Sequence, residues 1–190
     1  MRQSLIMEEN MKKKILNVLW ELGVPVLAAI VISHFVIKPV KVKGSSMYPT
    51  LKDGDYAVSN VMGKTVGNID RFDVVIIYVP EKSEYIVKRV IGLPGETVEY
   101  TGNQLYINEK AMNEPFLNEE YKKSYKEDTG TNFTSDVAPI TLGDDEYYCL
   151  GDNRPRSSDS RVYGAFHKAQ IKSKGVCVLY PLSEAGVETW

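Results

Sequence analysis

The sequence predicts a mainly β domain behind a single N-terminal membrane-spanning helix. From Ile15 to Ile37 the chain reads ILNVLWELGVPVLAAIVISHFVI, bracketed by Lys12–Lys14 and by Lys38. Beyond Lys38 the apolar runs become short, rich in Val, Ile and Tyr, and bounded by Gly, Pro, Asp or Asn, as strands are. No long segment of 3.6-residue periodicity follows. The expected organisation is a tail over residues 1–14, an anchor over 15–37 and a β domain over 38–190.

At about 1.5 Å per residue the Ile15–Ile37 run extends roughly 34 Å, enough for a hydrocarbon core of about 30 Å. Glu21 and His34 lie near its ends, where a polar group reaches the interface, and Pro25 is tolerated in a span. A cleavable leader is the competing reading, but IKPVKVKG has no small-residue cleavage site. Nothing amphipathic marks the run as a core helix. Basic residues flank it on both sides (Arg2 and Lys12–Lys14; Lys38, Lys41 and Lys43), so local charge leaves the topology open.

Expected strands are Asp55–Val58, Val74–Val79, Ile86–Ile91, Gln104–Ile107 and Gly175–Leu179. Leu93-Pro94-Gly95-Glu96 predicts a turn and Thr101-Gly102-Asn103 a hairpin tip. Asn113 to Val137 is polar and of mixed charge, which predicts a surface insertion or small cap, about 108–142.

The chain of 190 residues supports one modest domain plus an anchor. A net charge of −2 gives no electrostatic reason to expect nucleic acid as a partner. Cys149 and Cys177 match no zinc or CxxC spacing. They are expected as unpaired small hydrophobes, with a disulfide open if the domain lies outside the cell. No metal or cofactor is expected.

The chemistry concentrates in three segments: GSSMYPTL over 44–51, YIVKRVIGLPGE over 85–96 and GDNRPRSSDSR over 151–161. A serine hydrolase needs a nucleophile, a base and donors for the oxyanion. His34 lies in the apolar run, and His167 has no evident carboxylate partner in the sequence. Lys88 sits in the apolar run IVKRVIG, where strand alternation points Lys88 or Arg89 inward, but not both. A buried lysine loses its proton readily because desolvation disfavours the charged form, and the neutral amine is a competent base. From spacing alone, Ser46 with Lys88 competes with a turn serine and a solvated strand lysine.

Together the segments resemble the type I signal peptidases, in the short single-span form typical of Gram-positive bacteria. SSMYPTL is similar to the family's nucleophile box, RFDVVIIY over 71–78 to its next strand, YIVKRVIGLPGE to its lysine box and GDNRPRSSDSR to its third signature. They occur in the family's order. The resemblance implies a signal-peptidase/LexA-like β-fold with a small cap, acting on exported preproteins with small residues at −3 and −1. It implies Ser46 as nucleophile and, through its N–H, oxyanion donor, with Lys88 as general base. Ser157 would orient the lysine amine, and Asp159 and Arg161 would support the site as an ion pair. Val42, Met47, Leu51, Ile86 and Val87 would line the apolar subsites. It also implies a single-pass protein of the cell membrane, N-terminus cytoplasmic and catalytic domain extracellular, with the lipid bilayer as a partner. Gram-negative members carry a serine two residues before the nucleophile to complete the oxyanion hole; here that position is Gly44.

Two relatives of this chemistry are disfavoured. A LexA-like self-cleaving repressor needs a DNA-binding or recruiting N-terminus, and this one is hydrophobic. Inactive pilus-assembly proteins of the fold lack the serine or the lysine, and both are present here. A lipid-anchored interaction protein with no enzymatic role would reduce GDNRPRSSDSR to a polar loop.

Overall fold

Residues 74–79 show why this chain builds a two-faced sheet: Val75, Ile77 and Val79 enter one apolar cluster and Val74 and Ile76 another. Period-two alternation sends consecutive side chains to opposite faces, so an unbroken apolar strand requires cover on both. The computed structural model describes residues 2–35, 37–62 and 67–188, and among these the side chains of 11–30, 38–62, 67–183, 185 and 186. His34 and Ile37, at the end of the expected anchor, have side chains outside the described residues.

The chain divides into two compact units, Met1–Lys38 and Pro39–Trp190. In the first, α1 (Arg2–Phe35) is a 34-residue helix containing Pro25. Among the described residues no helix is long and apolar enough to cross a membrane. Lys12–Lys14 and Glu21 fall within the part of α1 whose side chains are described. The exposed Ile15, Val18, Leu19, Trp20, Leu22, Val24, Val26 and Leu27 occupy roughly two thirds of the helix circumference at about 100° per residue.

The larger sheet, which lies in the second unit from Pro39 onward, runs β1 (Ile37–Lys41), β2 (Tyr56–Asn60), β11 (Ile171–Tyr180), β3 (Val74–Val79), β4 (Glu84–Gly92), β9 (Glu146–Leu150) and β10 (Phe166–His167), with β12 (Gly186–Glu188) also pairing β11. The smaller sheet has the order β7 (Lys110–Met112), β6 (Gln104–Ile107), β5 (Thr97–Thr101) and β8 (Val137–Thr141). A third cluster joins the two sheets, combining Ile91, Tyr148 and Leu150 with Val98, Tyr100, Leu105 and Ile107.

Both turn expectations hold. Glu96 N donates to Leu93 O at 3.1 Å with Gly95 at φ 76°. Gly102 and Asn103 are both left-handed, at φ 59° and 73°, closing the β5–β6 hairpin as a two-residue turn. The polar insertion holds a helix that hydrophobic periodicity did not disclose, α2 (Glu119–Thr129), which buries no residue. EEYKKSYKEDT has no apolar stripe to read. Its ends carry the signal instead: Asn118 Oδ1 accepts from Tyr121 N at 2.8 Å, and Gly130 stops the helix at φ 68°.

Candidate active site

The loop carrying Ser46 is held from below. Met47 is 2% and Leu51 0% exposed, both in the cluster with Val42, Val74 and Val176. Tyr48 N donates to Ser45 O at 3.2 Å and Leu51 N to Met47 O at 3.0 Å. Ser46, between an exposed Ser45 and a buried Met47, is half-buried.

Lys88 comes from the middle of β4, opposite Val75 of β3. Its Nζ lies 2.8 Å from Ser46 Oγ and donates to it. The side chain is buried, and burial lowers the amine from 10.5 to about 8 against the opposing pull of Asp159 and Asp152. These two carboxylates are remote in sequence but near in space. Desolvation outweighs them because both are already engaged by arginines.

Those arginines correct the alternation argument. Lys88 and Arg89 are both buried, at 2% and 0% exposure. β4 is covered on both faces, so its neighbouring residues point into different interiors rather than one inward and one outward. Arg89 is accommodated as an ion by a forked pair with Asp152 (Nε–Oδ1 2.9 Å, Nη2–Oδ2 2.7 Å), a bond to Phe72 O and the face of Phe116. Thr50 Oγ1 donates to Asp152 Oδ2 at 2.6 Å, so the same carboxylate ties β4 to the serine loop.

The 151–161 segment closes the site. A Cβ at Gly151 would stand 2.3 Å from Ser157 Oγ and 2.4 Å from Ser46 O, so only glycine lets this backbone approach the serine loop. Asn153 N donates to Ser46 O at 3.0 Å, and its Nδ2 to Ser45 O at 2.9 Å. Arg154, fully buried, donates to Gly151 O, Tyr100 Oη and Thr134 Oγ1 and pairs with Glu114. Asp159 accepts from Arg161 Nε and Nη2, both at 2.8 Å, and from Gly151 N at 3.1 Å. Burial alone would raise the Asp159 carboxyl, but Arg161 holds it below its ordinary value. Ser157 Oγ is buried near the Asp159 carboxylate, which it helps Arg161 to hold low, and among the described residues it makes no close bond to Lys88, so the expected contact is not made here.

Of the five apolar candidates, Val42, Met47, Leu51 and Val87 gather in one cluster. Ile86 packs on the opposite face against the cluster containing Val75 and Val90. Gly44 adopts φ 83°, and its N–H donates to Asp53 Oδ1 at 2.7 Å. A serine there would meet no steric obstacle from neighbours but would strain the left-handed backbone. His167 does have a carboxylate partner, Asp145 at 3.2 Å, brought by the β9–β10 pairing; both side chains are more than half exposed. Cys149 and Cys177 are both free, and burial raises the Cys149 thiol far above its ordinary value.

Sequence reasoning weighed Arg89 only as the alternative to Lys88 and gave no role to Asp152, Asn153 and Arg154. The signal available was chemical: four polar or charged residues beside apolar strands need partners if buried.

The profile of the family described as "Signal peptidase, peptidase S26" matches residues 15–180. Signal peptidase I S of Bacillus subtilis (strain 168) is 40% identical over 91% of this chain and 93% of its own length. Signal peptidase I of Bacillus amyloliquefaciens is 42% identical over 93% of both chains. The crystal structure of a signal peptidase I from Enterococcus faecalis V583 is 36% identical and covers 55% of this chain and 94% of that one, with a TM-score of 0.48.

The class is therefore a serine-type peptidase. The chain belongs to the signal peptidase family, peptidase S26, and within it is of the Gram-positive-like type I kind.

Proposed function

We propose that this protein cleaves signal peptides from exported preproteins with Ser46 as nucleophile and Lys88 as general base. The observation that carries the reading is the 2.8 Å contact between Lys88 Nζ and Ser46 Oγ, made by an amine whose burial lowers it to about 8. The neutral amine takes the Ser46 proton as Oγ attacks the scissile carbonyl. The Ser46 N–H stabilises the developing oxyanion. The ammonium of Lys88 then protonates the leaving amine, which departs as the mature N-terminus. Lys88, neutral again, activates the water that releases the signal peptide from Ser46.

An extended substrate has a place to lie. β9 pairs with β4 only from Arg89 onward, and among the described residues no strand pairs with Glu84–Lys88 on that side. Main-chain groups beside the dyad are thus free for a peptide strand. Val87, half-buried, offers apolar surface near it, backed by the buried Val42, Met47 and Leu51, which suits small side chains at −3 and −1.

The protein acts as a single-pass membrane enzyme, N-terminus cytoplasmic and catalytic domain outside, anchored through 15–37. The wide apolar arc of α1 and the continuation of the apolar sequence to Ile37 support this. The direct experiment incubates the detergent-solubilised protein with a labelled preprotein whose leader ends in Ala-X-Ala and maps the cut. Cleavage after the motif by wild type and none by Ser46→Ala is the expected result; cleavage that survives Ser46→Ala defeats the proposal.

A further inference from the structure

Tyr121 of the cap insertion reaches the serine loop and the residue that holds it. Tyr121, in the first turn of α2, donates its Oη to Asn153 Oδ1 at 3.2 Å. Its ring stands edge-on to Tyr48, with centroids 5.3 Å apart, and to Phe133 at 5.6 Å. Asn153 is 1% exposed and holds both carbonyls flanking Ser46: its Nδ2 donates to Ser45 O and its backbone N to Ser46 O.

Donor and acceptor chemistry fixes this arrangement. Ser45 O can only accept, so the NH2 of Asn153 must face it, which leaves Oδ1 to accept from the Tyr121 hydroxyl. The C=O of Ser45 and the N–H of Ser46 belong to one planar trans peptide and point to opposite sides. Holding the Ser45 carbonyl therefore aims the Ser46 N–H. With glycine at position 44 and no side-chain hydroxyl there, the direction of that N–H carries more weight.

We propose that Tyr121 and Asn153 are positioning residues, which hold the Ser45–Ser46 peptide so that the Ser46 N–H meets the oxyanion. This rests on the reading of Ser46 as nucleophile. It ties turnover to the cap helix, a segment outside the three chemical boxes.

The test uses the full chain in detergent and Tyr121→Phe, which keeps both ring contacts and removes only the hydroxyl. kcat should fall about tenfold with KM nearly unchanged, a positioning loss smaller than the ~10²-fold that follows a 1 Å misplacement. The alkaline rise in rate set by Lys88 should stay where it is. Affinity for a peptide aldehyde, which forms a tetrahedral adduct with Ser46, should drop by the same factor as kcat, while a matched uncleavable peptide binds as before. Asn153→Ala should act in the same direction and approach the ~10²-fold cost of losing an oxyanion donor. The double variant should be no worse than Asn153→Ala, because Tyr121 works through Asn153. Tyr125→Phe, on the same helix and also packed on Phe133, serves as the control and should leave kcat unchanged. Unchanged kcat in Tyr121→Phe, equal weakening of aldehyde and uncleavable peptide, a displaced pH limb or an additive double variant would each overturn the proposal. Cutting by Ser46→Ala would instead remove the reading beneath it, a separate and distinguishable outcome.

Discussion

Lys88 and Arg89 are adjacent on β4, equally buried, and held in opposite ways. Arg89 is surrounded by acceptors and locked on Asp152 by two short bonds, so its buried charge is matched. Among the described residues the close partner of Lys88 is the neutral hydroxyl of Ser46, and the nearby carboxylates Asp152 and Asp159 are already committed to Arg89 and Arg161. One strand thus delivers a permanent cation for structure and an amine ready to give up its proton.

The rate should follow that amine. Below about 8, activity is expected to rise roughly tenfold per pH unit and then level off, since only neutral Lys88 accepts the serine proton. Lys88→Arg should be inert, because guanidinium keeps its proton throughout this range. A profile whose limb disappears only on replacing His167, or full activity in Lys88→Ala, would end the lysine mechanism.

Stability should carry the same signature with its own sign. The folded amine titrates at about 8 and the unfolded one at 10.5. Below 8 both states are protonated and the folded state bears the full cost of a buried charge, on the order of 3 kcal/mol. Between 8 and 10.5 the unfolded chain binds more protons, so stability rises with pH. Lys88→Met should therefore raise Tm at pH 7, and the gain should fade toward pH 10.5. Equal Tm differences at pH 7 and pH 10 would contradict this.

Ser157 offers a separation of activity from stability. Its hydroxyl only assists an Asp159 carboxylate that Arg161 and Gly151 N already hold, so Ser157→Ala should change stability by no more than about 1 kcal/mol. If the hydroxyl orients Lys88 during turnover, kcat should fall by up to ~10²-fold. Damage from Ser158→Ala with none from Ser157→Ala would shift the orienting role by one residue.

The anchor is tested by fractionation. Full-length protein should remain with membranes through a carbonate wash. A protease added outside intact protoplasts should digest the chain beyond about residue 40 and spare an N-terminal stub. Recovery of a soluble chain beginning near Val40 would mean that the apolar segment is removed.

What the sequence disclosed follows from what each signal depends on. Val74–Val79 and Gln104–Ile107 have the expected limits, because β-branched runs between turn residues are local features. β5, β8 and β9 were not singled out: β5 and β8 pair with each other in the smaller sheet across about forty residues, and Tyr147, Tyr148 and Cys149 of β9 become a strand only beside β4, a contact across more than fifty residues. The helix α2 escaped notice because its stabilisation lies in caps and Tyr–Phe contacts rather than an apolar face. At the site, the serine and lysine were marked by their boxes. The resemblance grouped Ile86 with Val87, and strand alternation separates them. The buried partners of Arg89 and Arg154 come from distant loops, so only the folded chain brings them together.

The unpaired stretch of β4 has a second consequence. A backbone edge open to one extended chain is open to any, including that of a second molecule of the same enzyme. Its entrance is guarded by charge: Lys82 and Glu84, each half exposed, sit 3.9 Å apart where the strand begins. The opening also ends after five residues, where β9 takes over the pairing at Arg89. Five residues leave room for the proposed peptide strand but not for the long flat register that lets sheets grow into fibres. The enzyme's receptiveness and its protection from its own kind are written into the same short length of strand.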